Sequence, residues 1–340
     1  VLTADDVIRF ELTSGSSGSN KLIPYTQSLI ADFQRGVGAW IHALNRNYPN
    51  ALAQRFYLAL SPRLMKGHPQ SAVPVGSGDD LAYFEPETAS ALAPCLILPQ
   101  IKPHIDSDEF YLQTVQALLK EKLSLVSCWS PTYLLQIDDL MRRHWQELEL
   151  PGENFQWSDL WPNLVLVSCW TDASSGMFIN DLKERLGDVD IEGKGLLSTE
   201  CLCSIPYKTG MAPLLSYTSQ FYEFEDDAGK IVLAEDLSID QEYSVIVTTS
   251  GGLYRYKTGD RIRVSAYYKS IPAFKFIGRL GRVSDIAGEK LSEAQVNEAF
   301  IQLKMPPAIL AAQKDRYILC CESEPENICY RLDNILKKNC

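Results

Sequence analysis

LSLVSCW (123–129) and NLVLVSCW (163–170) are apolar runs with the pattern of buried β-strands, and helical patterns follow them at 132–148 and 177–186. RFYLAL at 55–60 is a further run of this kind, and another helical pattern begins at Asp106. Strands that alternate with helices along a chain predict parallel βαβ units, because the chain must cross over between parallel neighbours. The sequence therefore predicts an α/β domain built on a mostly parallel sheet.

The regions on either side of this pattern have a different character. Upstream, the residue pattern predicts a strand at 7–12, a long helix at 26–45 and a loop at 62–80. Downstream, short strand-like runs separated by turns predict an antiparallel, β-rich segment at 195–278. Glycines at 278 and 281 then mark a break, beyond which strand and helix patterns alternate up to 340. We expect a large domain at 1–278 and a small, incomplete α+β C-terminal domain at 279–340.

Composition and charge narrow the class of protein. The 340 residues carry a formal charge of -11 and no cluster of Lys and Arg stands out, which argues against nucleic acid or an anionic membrane as a partner. No apolar run has the ~20 residues of a membrane span, and no signal peptide is visible. The nine cysteines include no C-x-x-C spacing, which favours reduced, mostly buried thiols and a cytoplasmic protein.

The stretch TSGSSGSNK (13–21) is the strongest local signal, because it places glycines and hydroxyls between a predicted strand and a predicted helix. Glycines allow a tight turn, and successive N–H and hydroxyl groups form a concave donor surface for phosphate oxygens. Lys21 adds a positive charge, although its spacing from Gly18 is not that of a P-loop. An engineered linker and a solvated turn without function are the alternatives. The candidate phosphate-binding residues are Thr13, Ser14, Gly15, Ser16, Ser17, Gly18 and Lys21.

Three further motifs each have a functional and a structural interpretation. YRYKTGD (254–260) predicts a tight turn whose Asp260 accepts hydrogen bonds from a ribose diol, although Thr-Gly-Asp is also a common turn. STE (198–200) ends a strand-like run and offers Glu200 as a Mg²⁺ ligand near a phosphate, or is an ordinary surface segment. GRLGRVSDIAGEKLSE (278–293) carries hinge glycines and Arg279 near a nucleotide, or is a polar linker.

In this order and at these separations, the four motifs resemble the acyl-adenylate-forming superfamily of luciferases, acyl-CoA ligases and peptide-synthetase adenylation domains. They are most similar to its auxin-responsive acyl acid amido synthetase branch, which includes bacterial members, and 278–293 is the most diagnostic stretch. The resemblance covers nearly the whole chain, and it implies that parts of both ends of the family's chain are absent. It implies a luciferase-like adenylating fold whose small C-terminal domain acts as a lid.

The resemblance also implies a role for each matching position. The 14–21 loop would hold the ATP phosphates, Glu200 would bind Mg²⁺ beside the α-phosphate, and Asp260 would bind the ribose. Gly281 and Arg282 would mark the hinge, and Lys290 is a substitute candidate for a catalytic lysine on the absent portion. The implied catalytic residues are Lys21, Glu200, Arg279 and Lys290, and the implied nucleotide-binding residues further include Thr199, Tyr256, Asp260 and again Arg279.

These roles imply an ATP-dependent ligase that activates a small carboxylic acid as acyl-AMP, releases pyrophosphate and transfers the acyl group to an amino-acid amine. No convincing catalytic His or Ser-His-Asp arrangement is present, which fits a reaction that relies on positioning and electrostatics. Three alternatives are an acyl-CoA ligase with a thiol acceptor, a catalytically silent module that binds nucleotide or acid, and a kinase or P-loop NTPase. The loop spacing disfavours the last of these.

The acid pocket is predicted where the two central strands end, because open α/β sheets bind ligands at the carboxyl ends of their strands. SCWSPTYLL (127–135) and CWTDASSGM (169–177) occupy these positions. Aromatic residues there are equally compatible with a place in the core. A wall with aromatic and few basic residues favours an aromatic or apolar acid. The candidates are Trp129, Thr132, Trp170 and Asp172.

Overall fold

A computed structural model describes residues 3–13, 21–59, 73–75, 83–99, 107–280, 283–284, 291–305, 308–313, 316–321 and 327–339. Its strands are β1 (Val7–Leu12), β2 (Leu22–Thr26), β3 (Arg55–Leu58), β4 (Leu96–Ile97), β5 (Leu123–Ser127), β6 (Leu166–Cys169), β7 (Asp190–Gly193), β8 (Ser204–Ile205), β9 (Leu214–Leu215), β10 (Phe221–Glu225), β11 (Ile231–Val232), β12 (Glu242–Thr248), β13 (Tyr256–Tyr268), β14 (Ile271–Arg279), β15 (Val283–Ser284), β16 (Leu291–Ser292), β17 (Ala308–Gln313) and β18 (Arg316–Cys321). Its helices are α1 (Gln27–Asn47), α2 (Pro86–Leu92), α3 (Ser107–Leu119), α4 (Pro131–Arg143), α5 (Trp157–Leu160), α6 (Ile179–Leu186), α7 (Glu293–Leu303) and α8 (Ile328–Asn339).

Five parallel strands form the first sheet, in the order β4-β3-β5-β6-β7. The central strand β5 is buried along its whole length, as expected for a sheet that helices cover on both faces. On one face Val115 of α3 and Leu134 of α4 join the core cluster, and on the other Leu44 of α1 packs against Leu125 and Leu166. The predicted parallel βαβ arrangement is confirmed. The short edge strands β4 and β7 were not predicted, because two to four residues carry too little periodicity.

Helix α1 connects the parallel sheet to the β-rich part of the chain. Thr26 caps its N-terminus, since the Thr26 side chain accepts a hydrogen bond from the Leu29 N–H. Buried Asp32 accepts hydrogen bonds from both the backbone N–H and the hydroxyl of Ser250, which ties the helix to the end of β12. The helix predicted at 26–45 is therefore present, and it lies between the two large sheets.

Seven strands form the second sheet, in the order β11-β10-β12-β13-β14-β9-β8. Its pairings are antiparallel, which confirms the predicted β-rich segment. The sequence predicted a tight turn at 254–260 between two strands, and this was wrong in part, because β13 runs without reversal from Tyr256 to Tyr268. Gly259 has a φ of +83°, and the strand register shifts nearby. Thr-Gly-Asp is therefore a strand irregularity, and Asp260 lies inside the strand.

The N-terminal strands also differ from the prediction. β1 and β2 form an antiparallel hairpin, and residues 14–20, which lie outside the described residues, connect them. The sequence placed this segment between a strand and a helix. It instead connects two strands, because LIPYT at 22–26 continues as β2 before α1 begins.

The C-terminal part contains two short hairpins, β15–β16 and β17–β18, and two helices. The strand predicted at 316–321 is present as β18, whereas β17 was missed. Strand β14 extends to Arg279, so Gly278 and Arg279 belong to the large antiparallel sheet. Gly281 and Arg282, the predicted hinge, lie outside the described residues, and the division at 278/279 stays a prediction.

Two expectations from composition can be compared with the structure. In the part of the chain that the structure describes, no helix combines the length and apolarity needed to cross a bilayer. The described cysteines are all free thiols, as predicted. The prediction that most cysteines are buried holds for only some of these thiols. Cys320 of β18 and Cys329 of α8 are exposed.

Candidate active site

The two residues that flank the glycine-rich segment are joined to each other. The Thr13 N–H donates to the Lys21 carbonyl at 3.0 Å, and the Lys21 N–H donates to the Thr13 hydroxyl at 3.0 Å. These bonds close the end of the β1–β2 hairpin. Ser14, Gly15, Ser16, Ser17 and Gly18 themselves lie outside the described residues.

The Lys21 side chain points from this hairpin to the antiparallel sheet. Its ammonium donates to the Tyr256 phenol oxygen at 3.0 Å, and the phenol in turn donates to Glu200 Oε1 at 3.4 Å. The hydrogen bond to Tyr256 is the main reason why the pKa of Lys21 is raised, and the negative charge of Glu200 adds to it. Residues 21, 200 and 256 thus form one polar chain, although they are far apart in sequence.

Asp260 and Arg279 lie beside this chain. They face each other on paired strands, and Arg279 Nε donates to Asp260 Oδ1 at 2.7 Å. Asp260 is only 1% exposed, and burial raises its pKa, while the neighbouring Arg279 acts in the opposite direction. The negative charge of Glu200 also acts to raise the pKa of Asp260.

Glu200 is held at the end of a small hairpin. The Ser198 N–H donates to the Cys201 carbonyl at 2.9 Å, and a single bridge joins Leu197 to Leu202. The sequence had predicted Glu200 at the end of a strand. In the structure it lies in a turn instead. The Tyr25 phenol of β2 donates to the Thr199 carbonyl at 2.8 Å, which fixes this turn beside the β1–β2 hairpin.

This arrangement brings together most of the described residues that were predicted to surround a nucleotide. Lys21 and Arg279 supply positive charge, Glu200 and Asp260 supply carboxylates, and Tyr256 links Lys21 to Glu200. Arg279 donates to Asp260 Oδ1, and a side-chain hydrogen bond from Thr258 also acts to lower the pKa of this carboxyl. Each carboxylate oxygen can accept more than one hydrogen bond, so Oδ2 can also accept from a ligand hydroxyl. Lys290 lies outside the described residues.

A magnesium ion fits this site only as part of a metal–nucleotide complex. No cluster of three or more His, Cys, Asp or Glu side chains within the described residues is arranged to hold a metal ion. Mg²⁺ commonly takes one or two carboxylates together with substrate phosphates and water. Glu200 would supply one such carboxylate, and the phosphates would supply the remaining charge.

The predicted acid-pocket residues lie at a different edge of the molecule, where the parallel strands end. The backbone N–H of Trp170 donates to the backbone carbonyl of Trp129 at 2.8 Å, and the centroids of the two indole rings are 5.6 Å apart. Trp129 is partly exposed and Trp170 is 37% exposed, so these rings are not core residues. Such a pair presents aromatic surface to a ligand.

The two other pocket candidates have structural partners. The Thr132 hydroxyl is 2.7 Å from the Ser130 hydroxyl in the first turn of α4, where Ser130 is the N-cap. Asp172 Oδ2 accepts from the Phe276 N–H at 3.0 Å, which fastens the chain after β6 to β14. Burial raises the pKa of Asp172, and the Phe276 hydrogen bond opposes this.

Sequence reasoning missed two ionisable groups beside the tryptophans. Lys194 follows β7 directly, and its ammonium donates to the Ser127 hydroxyl at 2.6 Å. Glu192 lies in β7, and its Oε1 accepts from the Trp40 indole N–H at 3.3 Å. Because β7 was not predicted, nothing in the sequence placed these residues at the same sheet edge as Trp129.

Comparisons with protein families match two parts of the chain. The GH3 family N-terminal domain matches residues 1–150, and the GH3 family central domain matches residues 214–279. The probable indole-3-acetic acid-amido synthetase GH3.9 of Oryza sativa subsp. japonica is 28% identical over 150 residues, which are 41% of this chain and 34% of that protein. The 4-substituted benzoates-glutamate ligase GH3.12 of Arabidopsis thaliana is 28% identical over 155 residues, or 43% of this chain and 27% of that protein. The matches thus span about a third or less of these curated relatives.

Solved structures show the fold. AtGH3.15 acyl acid amido synthetase in complex with 2,4-DB superposes on 98% of this chain and 70% of its own, with a TM-score of 0.75 and 16% identity. O-succinylbenzoate Coenzyme A Synthetase (MenE) from Bacillus subtilis, in complex with AMP, superposes on 98% of this chain and 63% of its own, with a TM-score of 0.51 and 13% identity. The chain therefore has the luciferase-like adenylating fold that its motifs predicted.

Proposed function

Since this chain belongs to the GH3 family through its N-terminal and central domains, we propose that it activates a carboxylic acid with ATP and transfers the acyl group to an amino-acid amine. ATP would bind between the β1–β2 hairpin and the antiparallel sheet. The acid would bind at the carboxyl ends of the parallel strands. The printed names of the relatives, which include amido synthetases and a benzoate–glutamate ligase, support this reaction class.

One observation carries the proposal. Side chains from three distant segments, represented by Lys21, Glu200 and Asp260, meet in one polar cluster that Tyr256 and Arg279 complete. A cluster with two cations and two carboxylates matches the chemistry of a nucleotide: anionic phosphates at one end and a ribose diol at the other. A structural ion pair alone would not need Lys21 at the end of a glycine-rich segment.

The first step would join the acid to the α-phosphate. A carboxylate oxygen attacks the α-phosphorus, the bond to the β-phosphate bridging oxygen breaks, and pyrophosphate leaves with that electron pair. Lys21 and Arg279 would offset the negative charge on the phosphates, and Asp260 Oδ2 would hold the ribose through a hydroxyl hydrogen bond. A Mg²⁺ ion bound with ATP would supply further charge neutralisation, with Glu200 as its protein ligand.

The second step would release AMP. The amine nitrogen attacks the acyl carbon, the mixed-anhydride bond breaks, and AMP leaves with the bonding electrons while the amine loses a proton. Exclusion of water from the acyl-adenylate would favour the amide over hydrolysis. We propose that the C-terminal part of the chain acts as the lid and that Gly281 and Arg282 form its hinge, as the family resemblance implies.

Acid-dependent exchange of radiolabelled pyrophosphate into ATP tests the adenylation step. We expect exchange with at least one member of a broad panel of aromatic and aliphatic acids, and none without acid. Amide or thioester formation with amino acids or CoA then identifies the acceptor. ATP binding without exchange across the whole panel would favour the silent nucleotide-binding module instead.

A further inference from the structure

The side chain of Lys194 lies between aromatic rings, at the edge of the first sheet where the parallel strands end. Its ammonium lies 5.0 Å from the centroid of the Trp40 ring and 5.3 Å from that of Trp129. It also donates to the Ser127 hydroxyl at the end of β5, two strands away from β7. The Lys194 backbone N–H donates to the Cys169 carbonyl at 2.8 Å, so the residue is fixed beside β6 as well.

This ammonium has no anionic partner among the described residues. No carboxylate there forms an ion pair with Lys194, although the charge of Glu192 acts on it from a greater distance. Burial lowers the pKa of Lys194, and burial also raises the pKa of Glu192 to about 7. A partly buried charge without a counter-charge is costly, and a ligand oxygen that accepts from it would offset that cost.

The position of Lys194 relative to Glu200 limits which part of an acid it can meet. Five residues lie between them, and Leu196 and Leu197 pair with the antiparallel segment at 202–204 before the turn at Ser198. At about 3.3 Å per extended residue this separation is on the order of 15 Å. The reacting carboxyl must lie beside the phosphates near Glu200. The ammonium of Lys194 therefore faces the other end of a bound acid.

We propose that Lys194 selects planar acids that carry a hydrogen-bond-accepting oxygen at the end remote from the reacting carboxyl. The proposal rests on the proposed function and adds a substrate class to it. Trp129 and Trp170 would contact the flat body of the acid, and Lys194 would donate to its distal oxygen. A purely structural Lys194, which only joins β5 to β7, would not distinguish acids by their distal group.

Matched acid pairs test the proposal. Exchange is measured with 3-phenylpropanoate against 3-(4-hydroxyphenyl)propanoate, and with phenylacetate against 4-hydroxyphenylacetate, because each pair differs only in the distal oxygen. For the wild-type protein we expect kcat/KM to be about tenfold higher for the hydroxylated member of at least one pair. In Lys194→Met this ratio should fall to about one, while the KM for ATP stays unchanged. Lys194→Arg, which retains a charge, should keep part of the preference.

The outcomes separate the two proposals. No exchange with any acid would overturn the proposed function. Exchange without a preference in the wild type, or a preference that survives Lys194→Met, would overturn only the role of Lys194. Equal losses for both members of a pair would indicate a structural residue and likewise contradict it. If Lys194→Met does not fold, quenching of tryptophan fluorescence in the wild type gives the affinity ratio directly, and a ratio near one would contradict the proposal.

Discussion

The proposed nucleotide site and the proposed acid site of this molecule have opposite electrostatic character. Around Asp260 each described charge has an opposite charge or a phenol within hydrogen-bonding distance. At the carboxyl edge of the parallel sheet, Lys194 contacts two indole rings and a hydroxyl and has no ion-pair partner among the described residues. On the proposed function, the first region is preorganised for one ligand, ATP, whereas the second leaves a cation for which a variable acid substrate would supply the partner.

The largest expected effect is a loss of ATP affinity from a substitution at the proposed nucleotide site alone. Asp260→Ala removes the acceptor proposed for the ribose and leaves Arg279 without its carboxylate, so we expect ATP affinity to fall about 100-fold. Calorimetry with ATP measures this, and circular dichroism checks that the fold persists. Asp188→Ala, which removes an exposed carboxylate elsewhere, is the matched control and should bind ATP normally. Unchanged ATP affinity in Asp260→Ala would remove the ribose assignment.

A second change tests the segment that connects the two regions. An added Cβ at Gly195 would lie 1.9 Å from the Ser204 carbonyl oxygen, so the hairpin that carries Glu200 must shift. We expect Gly195→Ala to lower the free energy of unfolding by about 2 kcal/mol and to impair exchange.

The control for this change lies in α1. Gly38 is exposed, and an added Cβ there meets nothing within 4 Å. Gly38→Ala should therefore stabilise the protein slightly, by about 0.5 kcal/mol, because alanine restricts the unfolded chain more than glycine does. Denaturant unfolding compares the two variants, and equal stability for both would contradict the packing argument.

Glu192, beside the proposed acid site, should make the free energy of unfolding depend on pH. The pKa of Glu192 is raised to about 7, so the folded protein holds this proton at pH values where the unfolded chain has released it. The free energy of unfolding should therefore fall as the pH rises from about 4.5 to 7. The full shift corresponds to about 3 kcal/mol, and because Glu192 is only partly buried, solvent screening reduces the expected change to about 1.5 kcal/mol. Glu192→Gln should remove that part of the decline. A pH profile of denaturant unfolding that is identical in wild type and variant would show that Glu192 titrates normally.

The smallest expected effect concerns the phenol between Lys21 and Glu200. Tyr256→Phe removes one accepted and one donated hydrogen bond, both at a partly exposed site, and should slow exchange about fivefold. Tyr254→Phe is the control, because Tyr254 is 74% exposed. An equal effect of both substitutions on exchange would show that the phenol does not position Lys21.

The same comparison explains how far the sequence predicted the molecule. Motifs at the proposed nucleotide site combine glycines, hydroxyls and charges in short stretches, so the sequence alone could single out Lys21, Glu200 and Asp260 as candidates. Their local geometry was less predictable, because tertiary pairing extends β13 through Thr-Gly-Asp and inserts β2 before α1.

The acid side was harder to predict for a physical reason. Its wall is assembled from Trp40, Trp129, Trp170 and Lys194, which come from one helix and the ends of three strands. A tryptophan after a strand has the same local pattern in a core and in a pocket. Lys194 follows a four-residue strand that gives almost no periodic signal. Only the assembled sheet brings these residues together.

A crystal structure with a non-hydrolysable ATP analogue tests the central claim most directly. We expect a ribose hydroxyl within about 3 Å of Asp260 Oδ2, and the phosphates between Glu200 and the segment that ends at Lys21. A nucleotide bound on another surface, with Glu200 and Asp260 both outside hydrogen-bonding distance, would contradict the account.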